Sequence, residues 1–206
     1  MRAVLALLVL AALCGCATVS STAGLTPPDI DPQATFAAYK THDGLTIARA
    51  PGGATGTVNA AGWSDLAPAY RVEVGGRTVA QLRVPSTAEV DVDAGGVRGQ
   101  VQPSWDDQAI RLTIRSTTGE TLRTRSFRAV EITSGLSLLS RNAQTTLDMR
   151  GTYRSDLRDA SDRVVGWLQV HVWEPFGWQV YEAVFPDGYP IADAAAAALA
   201  LDSEVA

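Results

Sequence analysis

The sequence predicts a mostly β domain, an antiparallel β-sandwich or curled sheet with a short helix near each end. From about residue 45 onwards, apolar and polar residues alternate with a period of two, which is typical of strands with one buried face. Glycine-containing turns interrupt this alternation, as they do between antiparallel strands. The chain has 206 residues, enough to stabilise such a fold through a hydrophobic core without disulfides.

The first sixteen residues contain the parts of an export signal. Arg2 supplies a positive charge, and residues 3–13 form an uninterrupted apolar run. This run is well short of the roughly 20 residues that a helix needs to span a bilayer. We therefore expect residues 1–15 to direct export and then to be removed.

The motif Leu13-Cys14-Gly15-Cys16 resembles the lipobox of bacterial lipoproteins. The resemblance implies that Cys16 carries a thioether-linked diacylglycerol and becomes the first residue after cleavage. Two or three acyl chains anchor a protein stably, because each buried methylene contributes about 0.8 kcal/mol. In the lipoproteins that this motif resembles, Asp directly after the lipidated cysteine means retention in the inner membrane. Ala17 stands at this position here, so the resemblance implies the outer membrane, with the domain on the periplasmic side. The alternatives are an uncleaved anchor and a plain secretory signal.

Residues 16–31 are predicted to be a flexible lipidated tether, because they are rich in Thr, Ser, Gly and Pro. A single β-rich domain is expected over residues 32–206. Asp31 and Pro32 have the residue types of a helix N-cap and first turn, so a short helix is predicted over the QATFAAYK segment that follows.

Two hairpins follow, and the loop of each is inferred from the register that gathers apolar residues on one face. Between residues 70 and 84 this test favours a three-residue loop at 75–77 over a two-residue Gly-Gly turn. Between residues 110 and 127 it favours the loop 117–119, with Gly119 able to adopt the left-handed conformation that such a loop needs.

The third hairpin alternates most strictly and is predicted to turn at residues 159–162. Its outer face then carries three cross-strand pairs: Arg154 with Trp167, Arg150 with His171, and Asp148 with Trp173. The segment WQVYEAVF returns as a further strand. An alanine-rich helix at about residues 190–203 is predicted to end the domain.

Residues 45–102 resemble the small immunoglobulin-like modules of bacterial envelope lipoproteins, including PEGA-type domains. The resemblance lies in the segments LTIARAPGG, VEVGGRTVAQLR and VDVDAGG. It implies a β fold and no particular activity, since the signature residues of PEGA domains are absent.

An aromatic face is the first candidate binding surface. Its members are Trp167, Trp173, Trp178, Arg150, Arg154 and His171. Such a surface can stack on sugars or dock a partner protein. The alternative, which we favour, is that the alanine-rich helix covers it, because small residues allow close approach and a sheet with two apolar faces needs two covers.

An arginine face on the second hairpin is the other candidate. Its members are Arg111, Arg115, Arg123 and Arg125. The predicted register places Arg111 opposite Arg125, and like charges so placed repel. A bound phosphate or sulfate would relieve the repulsion, and so would solvent or the acidic segment at residues 89–93. We favour solvent or the acidic segment.

The net charge and the positions of the histidines argue against several classes of function. The net charge of −5 argues against nucleic acid as a partner. His42 and His171 have neither zinc-site spacing nor a neighbouring nucleophile motif, so no metal, cofactor or catalytic residue is predicted. The sequence favours an outer-membrane lipoprotein that serves an envelope complex by binding or scaffolding a protein partner. A binding module for envelope glycan or lipopolysaccharide is the alternative, and an enzyme of unrecognised type ranks third.

Overall fold

Alternating apolar segments form the strands of the computed structural model, which describes residues 29–106, 109–137, 146–173 and 178–205. Side chains are described for all of these except 106, 109, 131–137, 146–150, 173, 178, 204 and 205. The predicted signal peptide, Cys16 and most of the predicted tether lie outside the described residues.

The described elements are strands and two helical segments. They are β1 (Phe36–Thr41), β2 (Gly44–Arg49), a short 3-10 helix (Pro51–Gly53), β3 (Gly56–Ser64), β4 (Ala67–Val74), β5 (Arg77–Ser86), β6 (Glu89–Ala94), β7 (Val97–Asp106), β8 (Ala109–Arg115), β9 (Thr121–Thr124), β10 (Arg128–Ser137), β11 (Thr146–Arg158), β12 (Val164–Trp173), β13 (Trp178–Val184) and helix α1 (Ile191–Val205).

The sheet is antiparallel and closed, so the predicted sandwich is wrong. Consecutive strands pair with each other except β9 and β10, which both lie along the same edge of β11. The first and last strands meet where β1 pairs with β13, and the ring closes where β9 pairs with β11. A barrel of twelve strands results, with β10 continuing beyond the point of closure.

Helix α1 lies inside this barrel and confirms the predicted C-terminal helix. It packs against β1, β2 and β5–β8. Ala192 and all residues from Ala194 to Leu201 are at most 3% exposed. An eight-stranded barrel can be filled by its own side chains, whereas a wider one encloses additional space. Here that space is occupied by a helix whose alanines keep it narrow.

Two aspartates fasten the ends of α1 to the wall. Near its start, Asp193 Oδ2 accepts hydrogen bonds from Ser116 Oγ at 2.8 Å and from Thr117 N and Oγ1 at 3.1 and 2.9 Å. Near its end, Asp202 Oδ1 lies 2.9 Å from Lys40 Nζ and accepts a 2.8 Å hydrogen bond from the Tyr181 hydroxyl. Burial, reinforced by the charge of Asp202, raises the pKa of Tyr181, so this phenol remains a donor.

The predicted N-terminal helix is wrong. Residues 36–40 of the predicted helix lie in β1, where Phe36 and Ala38 face the core and the backbone is paired on both edges by β13 and β2. The capping signal is present locally, since Gln33 N donates to Asp31 Oδ1 at 2.8 Å and Ala34 N to Asp31 O at 3.0 Å. The turn stops there because the backbone from Phe36 onwards pairs with β13 and β2. Local helix propensity is weak compared with such tertiary pairing.

The hairpin loops depart from prediction in two of three cases. The loop 117–119 is confirmed, with Ser116 N bonded to Glu120 O at 2.8 Å and Gly119 at φ 85°. The loop at 75–77 is wrong. Gly75 and Gly76 form a two-residue turn, and a bulge in β5 then restores the predicted alignment of Val72 with Ala80.

Candidate functional site

Three members of the predicted aromatic face, Arg154, Trp167 and His171, have described side chains on β11 and β12. Trp167 alternates with the core residue Leu168 and so faces outward. It is only 7% exposed, and the Arg154 guanidinium carbon lies 4.2 Å above the centre of its ring. Because α1 lies inside the barrel, our interpretation that this helix covers the aromatic face is wrong.

The register of this hairpin differs from the predicted one by two residues. Thr152 lies opposite His171, Arg154 opposite Gln169, and Arg150 opposite Trp173. The cause is a three-residue loop at 160–162 in place of the predicted loop 159–162, closed by a hydrogen bond of 3.0 Å from Asp159 N to Arg163 O, together with an irregularity between Leu157 and Arg158. A shift of two residues keeps each side chain on its predicted face. The side chains of Arg150, Trp173 and Trp178 lie outside the described residues, although Trp173 and Trp178 are cross-strand neighbours in backbone register.

A polar network surrounds His171 on the same face. Its Nε2 lies 2.9 Å from Glu182 Oε2 and its Nδ1 lies 2.8 Å from Thr152 Oγ1. Glu182, which is 1% exposed, also accepts hydrogen bonds from Gln169 Nε2 and from the Asp31 amide, both at 2.5 Å. Burial raises the pKa of Glu182, but the hydrogen bonds from His171, Gln169 and Asp31 outweigh it and hold the pKa below its usual value.

This network fastens the segment that precedes β1 to the barrel wall. Arg49 adds to it, because its Nη1 donates to the carbonyl oxygens of Asp31 and Ala34, each at 3.0 Å. A carboxylate, a histidine and a hydroxyl in series resemble an acyl-transfer relay. Such a relay also needs backbone donors for an oxyanion, and Thr152 and His171 lie within paired strands whose amides serve the sheet. We therefore interpret the network as structural.

The predicted arginine face divides among different partners. Arg123 Nη2 donates to Asp159 O at 3.4 Å, Arg125 Nη2 lies 3.8 Å from Asp162 Oδ2, and Arg111 also has an interaction partner. The predicted pair of Arg111 with Arg125 is not part of the sheet, since β9 ends at Thr124. The turn of the third hairpin therefore supplies the acceptors for two of these four arginines, and Arg115 lies elsewhere.

Arg115 lines a cavity of about 700 Å³ on the wall formed by β5–β8 and the tip of the β3–β4 hairpin. The lining is mostly polar. It comprises Ser64, Asp65, Ala69, Gln81, Leu82, Arg83, Asp91, Val92, Asp93, Arg98, Gly99, Gln100 and Arg115. Arg83 is held by Asp65 at 2.8 Å and by Asp91 at 2.7 Å, and Asp91 raises the pKa of Arg83.

Sequence reasoning placed Arg115 in a candidate site but missed Arg83, Arg98 and the amides beside them. These residues come from separate hairpins, and only the pairing of β5 through β8 brings them together. The available signal was that Arg83, Arg98 and Arg115 each occupy an outward-facing position in the alternation of their strand. Parity gives the face of a strand and not its neighbours.

The β3–β4 hairpin tip beside the cavity is strained and exposed. Asp65 and Leu66 form its turn with φ of 49° and 65°, a region that residues with a side chain rarely adopt. Leu66 is 96% exposed and Trp63 is 74% exposed. Apolar side chains are thus held in solvent at the rim of a polar cavity.

Comparisons with protein-family models, with curated proteins and with solved structures found no match to this chain. In the described ranges, no helix is long and apolar enough to cross a membrane. Among the same residues, no group of three or more His, Cys, Asp or Glu side chains could hold a metal ion.

Proposed function

We propose that this protein is an outer-membrane lipoprotein, anchored on the periplasmic side through Cys16, that acts as a binding or scaffolding accessory of an envelope complex. The anchor rests on the apolar leader and the lipobox-like motif that ends at Cys16. The binding role rests on the domain, whose partners would be recognised by its outer wall.

The packed interior of the barrel is the observation that supports binding at the outer surface. The inward side chains and α1 form one core cluster, and the central alanines of the helix are fully buried. Where α1 packs against β1, β2 and β5–β8, the described side chains fill the interior, unlike barrels that hold a ligand in an open lumen. Recognition therefore falls to the outer surface.

The fastened N-terminal segment supports the scaffolding role. Glu182 and Arg49 hold Asp31 against the wall. A flexible tether of about fifteen residues would span at most on the order of 50 Å between this point and the lipid. The domain would therefore stay near the membrane while the wall around β5–β8, on another part of the barrel, remains open to partners.

Glycan or lipopolysaccharide binding is the second candidate, and the polar outer cavity favours it. Sugar-binding surfaces combine hydrogen-bonding side chains with charges that match acidic substituents. The cavity offers both, with arginine, aspartate and glutamine side chains in its lining. Trp167 is not suited to sugar stacking, because it is nearly buried and one face of its ring is occupied by Arg154.

Fractionation of cells tests the anchor. Cys16→Ser should move the full chain from the membrane fraction to the soluble fraction and abolish incorporation of labelled palmitate. Cys14→Ser is the matched control and should leave both unchanged. If the Cys16→Ser variant remains in the membrane fraction, the proposed anchor is wrong.

Cross-linking in intact cells tests the scaffolding role. The wild-type chain should form a discrete cross-linked species with an envelope protein, and the Cys16→Ser variant should lose it because the domain is no longer held at the membrane. The absence of any such species from wild-type cells would contradict scaffolding and leave the glycan candidate ahead.

A further inference from the structure

Two arginines in the outer cavity are left without partners. Within the described part of the chain, neither Arg98 nor Arg115 takes part in a side-chain hydrogen bond or ion pair, whereas Arg83 in the same cavity binds two carboxylates. An arginine that lines a cavity and has no internal acceptor is available for an anionic ligand.

The sheet register places these two arginines side by side. Arg115 on β8 lies opposite Gln100 on β7, and Arg98 lies two residues from Gln100 on the same face. Such diagonal neighbours are about 7–8 Å apart, which long side chains bridge easily. Both guanidinium groups can therefore close on one phosphate or carboxylate, each through two parallel hydrogen bonds.

The rest of the cavity is suited to hydroxyl groups. Gln100 Nε2 donates to Glu89 and Asp91 at 2.9 and 3.0 Å, which leaves its carbonyl oxygen as an acceptor. Asp93 uses Oδ1 for the Gly96 amide at 3.0 Å, which leaves Oδ2. Gln81, opposite Asp93 in register, contributes a further amide. Carboxylates and amides at this density match a ligand that carries many hydroxyls.

We propose that this cavity binds an anionic saccharide, whose phosphate or carboxylate lies between Arg98 and Arg115 and whose hydroxyls bond to Gln81, Asp93 and Gln100. The volume of about 700 Å³ is in the range of small-molecule sites and exceeds that of a single sugar. This inference rests on the second proposed function and names its site and ligand class.

Calorimetric titration of the full chain in detergent micelles tests the proposal with four probes. Glucose 1-phosphate and glucuronate distinguish the two kinds of anion, glucose lacks the charge, and inorganic phosphate lacks the sugar. At least one anionic sugar should bind tenfold more tightly than both glucose and inorganic phosphate. If neither anionic sugar binds tenfold more tightly than both glucose and inorganic phosphate, the proposal is overturned.

Variants then locate the site. The double variant Arg98→Gln and Arg115→Gln should lose at least tenfold in affinity for the anionic sugar, because hydrogen bonds to charged groups are the strong ones. Arg77→Gln is the matched control, an exposed arginine on β5 outside the cavity. An unchanged affinity in the double variant would show that the sugar binds elsewhere and refute the assignment.

The two levels of proposal fail separately. If wild-type protein depends on Cys16 for membrane association but binds no anionic sugar, the cavity assignment fails and the lipoprotein proposal stands. If it binds the sugar but Cys16→Ser remains in the membrane fraction, the anchor fails and the cavity assignment stands.

Discussion

Replacing the alanines at positions 194–198 by leucine, one at a time, tests whether α1 is enclosed on every side. At 3.6 residues per turn, five consecutive residues point in directions about 100° apart and so sample the whole circumference of a helix. All five are 0% exposed. A helix lying on an outer face would turn at least two of them to solvent.

The expected loss follows from overpacking. Each leucine adds three carbon atoms to a filled interior, and such insertions cost about 1–3 kcal/mol because side chains or backbone must move. A leucine at a solvent-facing position would instead change stability by less than about 0.5 kcal/mol. We expect all five variants to fall in the first range.

Urea unfolding followed by tryptophan fluorescence measures the free energy of unfolding of each variant. Ala60→Leu is the control, since Ala60 is exposed on β3, and it should lie within about 0.5 kcal/mol of wild type. If two or more of the five helix variants match wild type as closely as this control, the helix is not enclosed by the barrel.

Two further predictions concern a strained turn and a buried acid. Leu66→Gly should raise the free energy of unfolding by about 0.5 kcal/mol in urea titrations, because relief of a left-handed conformation that costs about 1–2 kcal/mol outweighs the loss of about 0.4–1 kcal/mol from a more flexible unfolded chain. Leu66→Ala is the control: it keeps the Cβ and should not raise the free energy of unfolding. If Leu66→Ala stabilises the protein as much as Leu66→Gly, the strain argument is refuted. Burial raises the pKa of Asp193 despite its hydrogen bonds, so the native state binds more protons than the unfolded state between the ordinary aspartate pKa and this raised pKa. The stability of the native state therefore falls as the pH rises through this range. The asparagine of Asp193→Asn does not ionise, so the stability of this variant relative to wild type should be higher at pH 7 than at pH 4 in unfolding measurements. Asp193→Ala should lose roughly 3 kcal/mol of stability with its three hydrogen bonds. If the stability of Asp193→Asn relative to wild type is unchanged or lower at pH 7, Asp193 is not destabilised by burial.

The sequence predicted one glycine-containing loop correctly and another incorrectly, because a bulge in the second hairpin realigns its strands. The loop 117–119 was predicted correctly because one register satisfies both the apolar face and Gly119. At Gly75-Gly76 the apolar faces align only after a bulge in β5. A bulge and a longer loop have the same effect on side-chain parity, so the apolar pattern cannot distinguish them.

The candidate site was predicted only in part because its residues meet through long-range pairing. Arg154 does stack on Trp167, and alternation correctly placed Arg154, Trp167 and His171 on one face. Glu182 was missed, since nothing in the sequence indicates that the segment before β1 crosses that face and brings the Asp31 amide to its carboxylate. Arg98 was missed for the same reason, because its relation to Arg115 depends on the register of β7 with β8.

The amino-acid pattern alone predicted the mostly β character, the C-terminal helix and the buried face of the strands in the three predicted hairpins, because periodicity and alanine content are local properties. Closure of the sheet and the position of the helix inside it follow from long-range pairing in the folded structure. Closure depends on pairing between β9 and β11 and between β1 and β13, which lie far apart in the chain. An inward-facing strand residue has the same apolar pattern whether it meets a second sheet or an enclosed helix. The choice between them depends on the volume the closed wall surrounds, and here a helix of alanines fills it.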